Sequence, residues 1–465
     1  MHTLPVSFIF VFGLIRNRIV KVLILSTSDT QGGAAVAALR LADALDNIGV
    51  EVRVLVCKKR GVDAKVYELC RGKLNRYKHK WAFLAERAMI YKANGRDRSK
   101  LFHVSTSAFG LDISHHPLVA WADILHLHWI NQGFLSLQGL ERVATLGKAI
   151  VWTMHDLWPA TAICHHPRHC THFREEQPCG CCEQINSKQV RDLSRCVAER
   201  KKALYARLQP VLLGCSHWIA EQAAASTILS GRPILSIPNP INTDLFSPMD
   251  RAEARAALGL TFDCPSPYLI LFGAVKADDY RKGIGEMSRT LQLLYSDRPE
   301  LRGRLKLITF GHLAPEAASM FPDFETVRMG YISSTETMKL LYNAVDLFVT
   351  PSLEENLPNT IMEAQACGTP SLGFATGGIP EMISNELLGH VSPYRSADDM
   401  ADYIYRHWQA SYDQDGQETP FGGSQREACR RSAVQRYDRT VVAKLHLALY
   451  EKLLRGDLLS PAAPL

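Results

Sequence analysis

Apolar runs of four to seven residues recur along this chain, and most are followed by a turn and a stretch of helical period. The first is 20–26, VKVLILS. Residues 27–31 follow, then Gly32-Gly33 and a helical pattern to about Asn47. Gly49 closes it, and 50–57 is the next run. Others lie at 124–129, 149–153 and 211–215, then at 268–272, 305–310, 345–349 and 371–374. A continuous apolar run bounded by turn residues reads as a strand buried on both faces. Strands alternating with helices in two halves predict two doubly wound, Rossmann-like α/β domains. A chain of 465 residues is long for one core. We place the boundary in LSIPNPINTDLF (235–246), giving a first domain over 20–240 and a second over 241–425. Residues 426–455 are helical in pattern, and 456–465 read as a disordered tail.

The stretch 351–370, PSLEENLPNTIMEAQACGTP, follows one of these strands. Pro358 suits the first turn of a helix, and Gly368 with Pro370 ends it. Glu355 then lies in the loop and Glu363 one to two turns inside the helix. Both sit at the carboxyl end of a parallel strand, where open α/β sheets bind ligands. A carboxylate there accepts two hydroxyl hydrogen bonds at once, which suits ribose or a sugar. Two glutamates eight apart are otherwise ordinary solvated side chains. The Gly32-Gly33 turn lets backbone approach a ligand, and the helix start after it favours phosphate.

Composition narrows the picture modestly. Hydrophobic content of 46%, charge of 22% and a net charge of +6 fit a globular protein. That charge permits an anionic substrate or an anionic membrane surface and calls for no nucleic acid. Residues 71–100 are strongly basic around Trp81, Phe83, Leu84, Ala88, Met89 and Ile90. Such a helix is either a solvated face or a membrane-surface element. The run 3–15 is about half a bilayer span and carries its charges after the apolar part, unlike a secretory signal. We read 1–19 as an extension upstream of the fold, with a loose membrane-surface anchor as the alternative. Twelve cysteines are far too few for a disulfide scaffold and suit a reduced compartment. Four of them, Cys164, Cys170, Cys179 and Cys182, are clustered, the last two in C-x2-C spacing. They fit a structural zinc site, reduced thiols in a loop, or two disulfides.

The frame around Glu355 and Glu363 (Pro351-Ser352 before, Glu363-Ala364-x-Ala366-Cys367-Gly368-x-Pro370 after) resembles the donor-sugar signature of glycosyltransferase family 4. These are retaining enzymes with two Rossmann-like domains facing across a cleft, the GT-B fold. Gly377-Gly378-Ile379-Pro380-Glu381 resembles the family's next turn. HLHWINQGFLS (126–136) and VWTMHDLWPAT (151–161) resemble a branch that builds bacterial exopolysaccharides of the colanic-acid type. The same branch carries the cysteine insert, without indicating what it binds.

The resemblance implies a role for each matched position. Glu363 would hold ribose. Glu355, with the N–H groups of Asn356 and Leu357, would hold donor-sugar hydroxyls. Lys282 would stabilise the departing diphosphate, and Gly32-Gly33 would lie near it. His155 would line the donor sugar, with His128 and Asn131 flanking the acceptor side. Tyr331 and Ile332 would meet the base, and the last helix would cross back to the first domain. Pro240 and Asn242 replace a glycine and an aspartate of the family's interdomain segment. Ala274 stands where the family has a diphosphate-binding arginine, and Arg281 or Lys276 is expected to supply that charge. The expected activity is metal-independent transfer from a nucleotide-sugar to a saccharide or lipid-linked acceptor, needing no enzyme nucleophile. No DxD-like pair follows a strand, so no cofactor is expected in catalysis. The expected location is the cytoplasm, with peripheral attachment to the inner face of the cytoplasmic membrane. An oxidoreductase or epimerase would show G-x-G-x-x-G after the first strand of a half, and neither half has it. A non-enzymatic, zinc-stabilised saccharide-binding protein is the other alternative, resting on Ala274.

Overall fold

Two all-parallel sheets organise the chain in the computed structural model, which describes residues 19–263, 267–276, 279–312, 321, 324–413 and 417–457. The extension before Ile19 and the tail after Asp457 lie outside these, as do the side chains of Ala274 and Lys276.

The first sheet contains β1 (Lys21–Ser28), β2 (Glu51–Lys58), β3 (Val66–Glu68), β4 (Ile124–Leu127), β5 (Ala149–Met154), β6 (Val211–Gly214) and β7 (Ile234–Ser236). Their order is β3-β2-β1-β4-β5-β6-β7. The period of two divides β1 between two cores. Leu23 and Leu25 pack with Trp152, while Val22 and Ile24 pack with Leu41 and Leu45 of helix α1 (Gly33–Asp46).

The second sheet contains β8 (Tyr268–Lys276), β9 (Leu305–His312), β10 (Thr326–Arg328), β11 (Leu347–Thr350), β12 (Ser371–Phe374) and β13 (Gly389–Ser392), in the order β10-β9-β8-β11-β12-β13. Here Leu269 and Leu271 face one core, and Ile270 and Phe272 the other. Strand order reverses between β1 and β4 and again between β8 and β11. Those two switch points are where such sheets open a crevice.

Ile237 belongs to a core of the first sheet and Ile241 to a core of the second. The helical pattern over 426–455 is two helices rather than one. Pro420–Tyr437 packs on the second domain, and Arg439–Arg455 returns to the first, where Val442 and Leu449 enter its core. Asp438 makes the break. Its backbone leaves the helical region with φ of −55° and ψ of 136°, its carboxylate accepts from Thr440 N at 2.8 Å, and Ile241 N donates to Tyr437 O at 2.8 Å.

The basic segment forms helix α2 (Lys73–Ala93). It does not divide into one apolar and one charged face. Glu86 and Arg87 are buried, with Glu86 accepting from Thr106 N and Ser107 N at 2.7 Å each, while Leu74, Tyr77, Trp81 and Leu84 are exposed. Among the described residues, no helix is long and apolar enough to cross a membrane.

Candidate functional site

Two loops of the second domain lock together at its switch point. Residues 280–282 form a single helical turn after β8, and Gly283 leaves it with φ of 71°. A Cβ on Gly283 would stand 1.8 Å from the Pro351 carbonyl oxygen, so only glycine lets the turn lie against the loop after β11. Leu353 N donates to Arg281 O at 2.7 Å across the same contact. Lys282 Nζ thereby reaches Glu355 Oε2 at 2.6 Å. Burial would raise the Glu355 carboxyl, but the Lys282 ammonium and the Asn356 N–H outweigh it and hold it below its ordinary value. Gly377, φ 56°, seats the next turn against the Glu355 carbonyl, and Gly378 N donates to Asn356 O at 2.8 Å.

The first domain closes over this loop. The Asn356 amide donates to His155 O at 3.2 Å and accepts from Ser216 Oγ at 2.7 Å. Glu381 accepts from His217 N and Trp218 N at 2.8 and 2.6 Å, capping a first-domain helix with a second-domain carboxylate. Arg168, in the cysteine insert, pairs with Glu354 at 2.8 Å. A Cβ on Gly33 would lie 3.9 Å from the Asn359 amide, so the glycine turn after β1 faces helix α3 (Asn359–Ala366). Gly32 caps α1 with φ of 87° and no side chain.

Glu363 differs from expectation. It is buried, because Arg40 of α1 pairs with it at 2.6 Å and the Tyr342 hydroxyl donates to it at 2.9 Å. Arg281 is also committed, to Asp279 at 2.6 Å within its own turn. Leu357 is buried, Ile332 packs half-buried on the core, and Tyr331 is exposed and stacked on His312 with ring centroids 5.1 Å apart.

On the facing domain, His155 Nε2 and His128 Nδ1 share a hydrogen bond of 2.8 Å. Burial pushes His155 down to about 4, so the imidazole is neutral at pH 7. His128 is buried, with its Nε2 unpartnered. Asn131 does not line the cleft. It is 1% exposed and donates to Ser107 Oγ at 3.2 Å. Asp156 accepts from Trp129 Nε1 at 2.9 Å and meets His165 Nδ1 at 2.7 Å, while His165 Nε2 meets Ser105 Oγ at 2.9 Å. That contact order matches a nucleophile triad, but Ser105 is 2% exposed and its backbone is tied to Ile163. The set braces the loop that carries His155.

Of the clustered cysteines, Cys164 is buried, Cys179 and Cys182 are half-buried and Cys170 is exposed. The Cys164 thiol beside it brings Cys182 down to about 7. Among the described residues, the metal-capable group with all ligand atoms within 4.8 Å is a different one, Cys57, Cys70 and His79. Sequence reading missed it, as it missed Arg40, Arg168 and Ser216. The C-x12-C-x8-H spacing was its one visible signal.

Residues 266–409 match the family described as Glycosyl transferases group 1, a stretch that includes Lys282, Glu355 and Glu363. A D-inositol 3-phosphate glycosyltransferase of Mycolicibacterium smegmatis is 24% identical over 381 residues, covering 80% of this chain and 78% of that protein. The chain spans less of the first curated relatives it matches, about 44% of their length. The sucrose-phosphate synthase of Thermosynechococcus elongatus superposes with a TM-score of 0.61 at 17% identity, covering 94% of this chain and all of that one. Anabaena HepE in complex with UDP-glucose gives 0.58 at 14% identity, covering 93% and 99%. At these identities the likeness defines the fold, two Rossmann-like domains of the GT-B glycosyltransferase type.

Proposed function

We propose that this chain is a retaining glycosyltransferase of family 4. It moves a sugar from a nucleotide-diphosphate donor to a saccharide acceptor, free or lipid-linked, in building a bacterial surface polysaccharide. The Lys282–Glu355 pair carries the reading. A cation and a carboxylate meet at the β8–β11 switch point, in a loop whose Asn356 holds the backbone carbonyl of the neutral His155 of the facing domain. The UDP-glucose bound by a protein of the same fold supports a nucleotide-sugar donor.

Each residue then has a task. Lys282 stabilises charge on the diphosphate as its bond to the sugar breaks. Glu355 accepts hydrogen bonds from donor-sugar hydroxyls, and His155 meets the sugar as a neutral imidazole. Glu363 takes the ribose once Arg40 releases it. The acceptor hydroxyl attacks from the face the diphosphate leaves, so configuration is kept without an enzyme nucleophile. The exposed Leu74, Tyr77, Trp81 and Leu84, with Lys73, Lys78 and Lys80 beside them, suit an anionic membrane surface carrying a lipid-linked acceptor. A second acceptor reading, an inositol phosphate, is favoured by the relative that aligns over 78% of its length.

Incubation with nucleotide sugars and both acceptor types tests this, with NMR of the anomeric proton of the product. Donor consumption with retained configuration is expected. An inverted product, or no consumption of any donor, contradicts the proposal.

A further inference from the structure

Three side chains far from the switch-point pair meet beneath helix α2. Cys57 lies near the end of β2, and Cys70 follows β3. Their backbones are tied by Cys70 N donating to Cys57 O at 3.0 Å, and their sulfurs are 3.2 Å apart. His79 projects from α2, and one of its ring nitrogens lies within 4.8 Å of both sulfurs. Its Nε2 is 3.2 Å from Gln132 O, a carbonyl that accepts only from a protonated nitrogen. The lone pair therefore falls on Nδ1, which is buried without a partner. A buried nitrogen lone pair left unpaired costs free energy. A ligating histidine whose other N–H is held by a backbone carbonyl is the usual support of a metal site.

We propose that Cys57, Cys70 and His79 bind one thiophilic divalent metal ion, of the zinc class, through two thiolates and the Nδ1 lone pair. Binding expels the two thiol protons, so a dication gives a neutral site, with solvent in the fourth position. Metal–sulfur bonds of about 2.3 Å place two thiolates roughly 3.8 Å apart, so the sulfurs, now 3.2 Å apart, need separate by only about 0.6 Å. A disulfide would require them to close to about 2.05 Å and would leave Nδ1 unpaired. The site would be a structural staple. It joins β2, the turn after β3, α2 and the loop at Gln132, where a Cβ on Gly133 would stand 2.9 Å from Phe83 N.

The test uses full-length, tag-free, reduced protein and elemental analysis for zinc. Cys57→Ser/Cys70→Ser is expected to hold one zinc fewer per chain than the unaltered protein. Cys179→Ser/Cys182→Ser is expected to keep that ion. Titration of the stripped protein with cobalt should give thiolate-to-metal absorption, with binding at least about tenfold weaker in His79→Ala. Equal zinc in the unaltered protein and Cys57→Ser/Cys70→Ser overturns the proposal. A Cys57–Cys70 disulfide, mapped after alkylation in anaerobic lysate, also overturns it. Should the double variant fail to fold, alkylation of the unaltered protein decides. Zinc must protect Cys57 and Cys70 and a chelator expose them, and rates indifferent to zinc refute the site.

Discussion

Lys282 and Glu355, 73 residues apart in sequence, stand 2.6 Å apart at the β8–β11 switch point. Neither charge is stranded while the cleft is empty, because each answers the other. On the proposed function, an entering diphosphate would compete with Glu355 for Lys282, and the donor sugar would offer Glu355 hydroxyls in exchange. Lys282→Ala should therefore lower kcat by about a hundredfold or more while changing donor affinity less, since the lost charge matters most as the diphosphate departs. Steady-state kinetics paired with donor titration checks the split.

The Arg40–Glu363 pair predicts opposite effects from its two members. With Glu363 as the proposed ribose ligand, Glu363→Ala would remove charged hydrogen bonds worth about 1.5–3 kcal/mol, or roughly tenfold to a hundredfold in donor affinity. Arg40→Ala frees Glu363 and should leave affinity unchanged or tighten it. Calorimetric titration of both variants with the nucleotide sugar decides. Parallel weakening would make the pair a structural brace and not a gate to the ribose site.

Asn356 joins the domains from beneath the candidate site. Asn356→Ala strands the Ser216 hydroxyl and the His155 carbonyl, at a cost of about 1–3 kcal/mol. Chemical unfolding should show that loss. Asn356→Asp should be as harmful, since a carboxylate cannot donate to the carbonyl.

Stability should fall on acidification before most carboxylates titrate. Burial holds His155, His407 and His446 down to about 4, against an unfolded value near 6.5. Between those values the unfolded chain binds protons that the folded chain refuses, so stability rises with pH and is lost as pH falls through the window. The slope reaches roughly 1.4 kcal/mol per pH unit for each histidine. Calorimetric melts at pH 7, 6 and 5 should show a falling Tm, and a constant Tm would count against the buried neutral histidines.

The parallel strands were legible because burial on both faces writes a strand as a continuous apolar run. Glu355, Lys282 and Gly377 were legible for a related reason, since each sits in a short local frame whose turn dictates its neighbours. What escaped sequence reading depends on distant partners. The local frame placed Glu363 inside its helix, but Arg40, which covers it, lies 323 residues away. Asn131 looked like a cleft residue until Ser107 was found to hold it. Helical periodicity ran through Asp438 because a cap is one residue, whereas the period is read over many. In α2, the basic pattern concealed Glu86, whose burial rests on amides 20 and 21 residues away.

Calorimetric titration with a panel of nucleotide sugars tests the central claim most directly, comparing the unaltered chain with Lys282→Ala/Glu355→Gln. The account predicts that at least one nucleotide sugar binds the unaltered chain more tightly than its free nucleoside diphosphate, and that the double variant loses this added affinity while still binding the nucleoside diphosphate. Equal binding of that nucleotide sugar by the two proteins, or no binding of any nucleotide sugar by the unaltered chain, would contradict it.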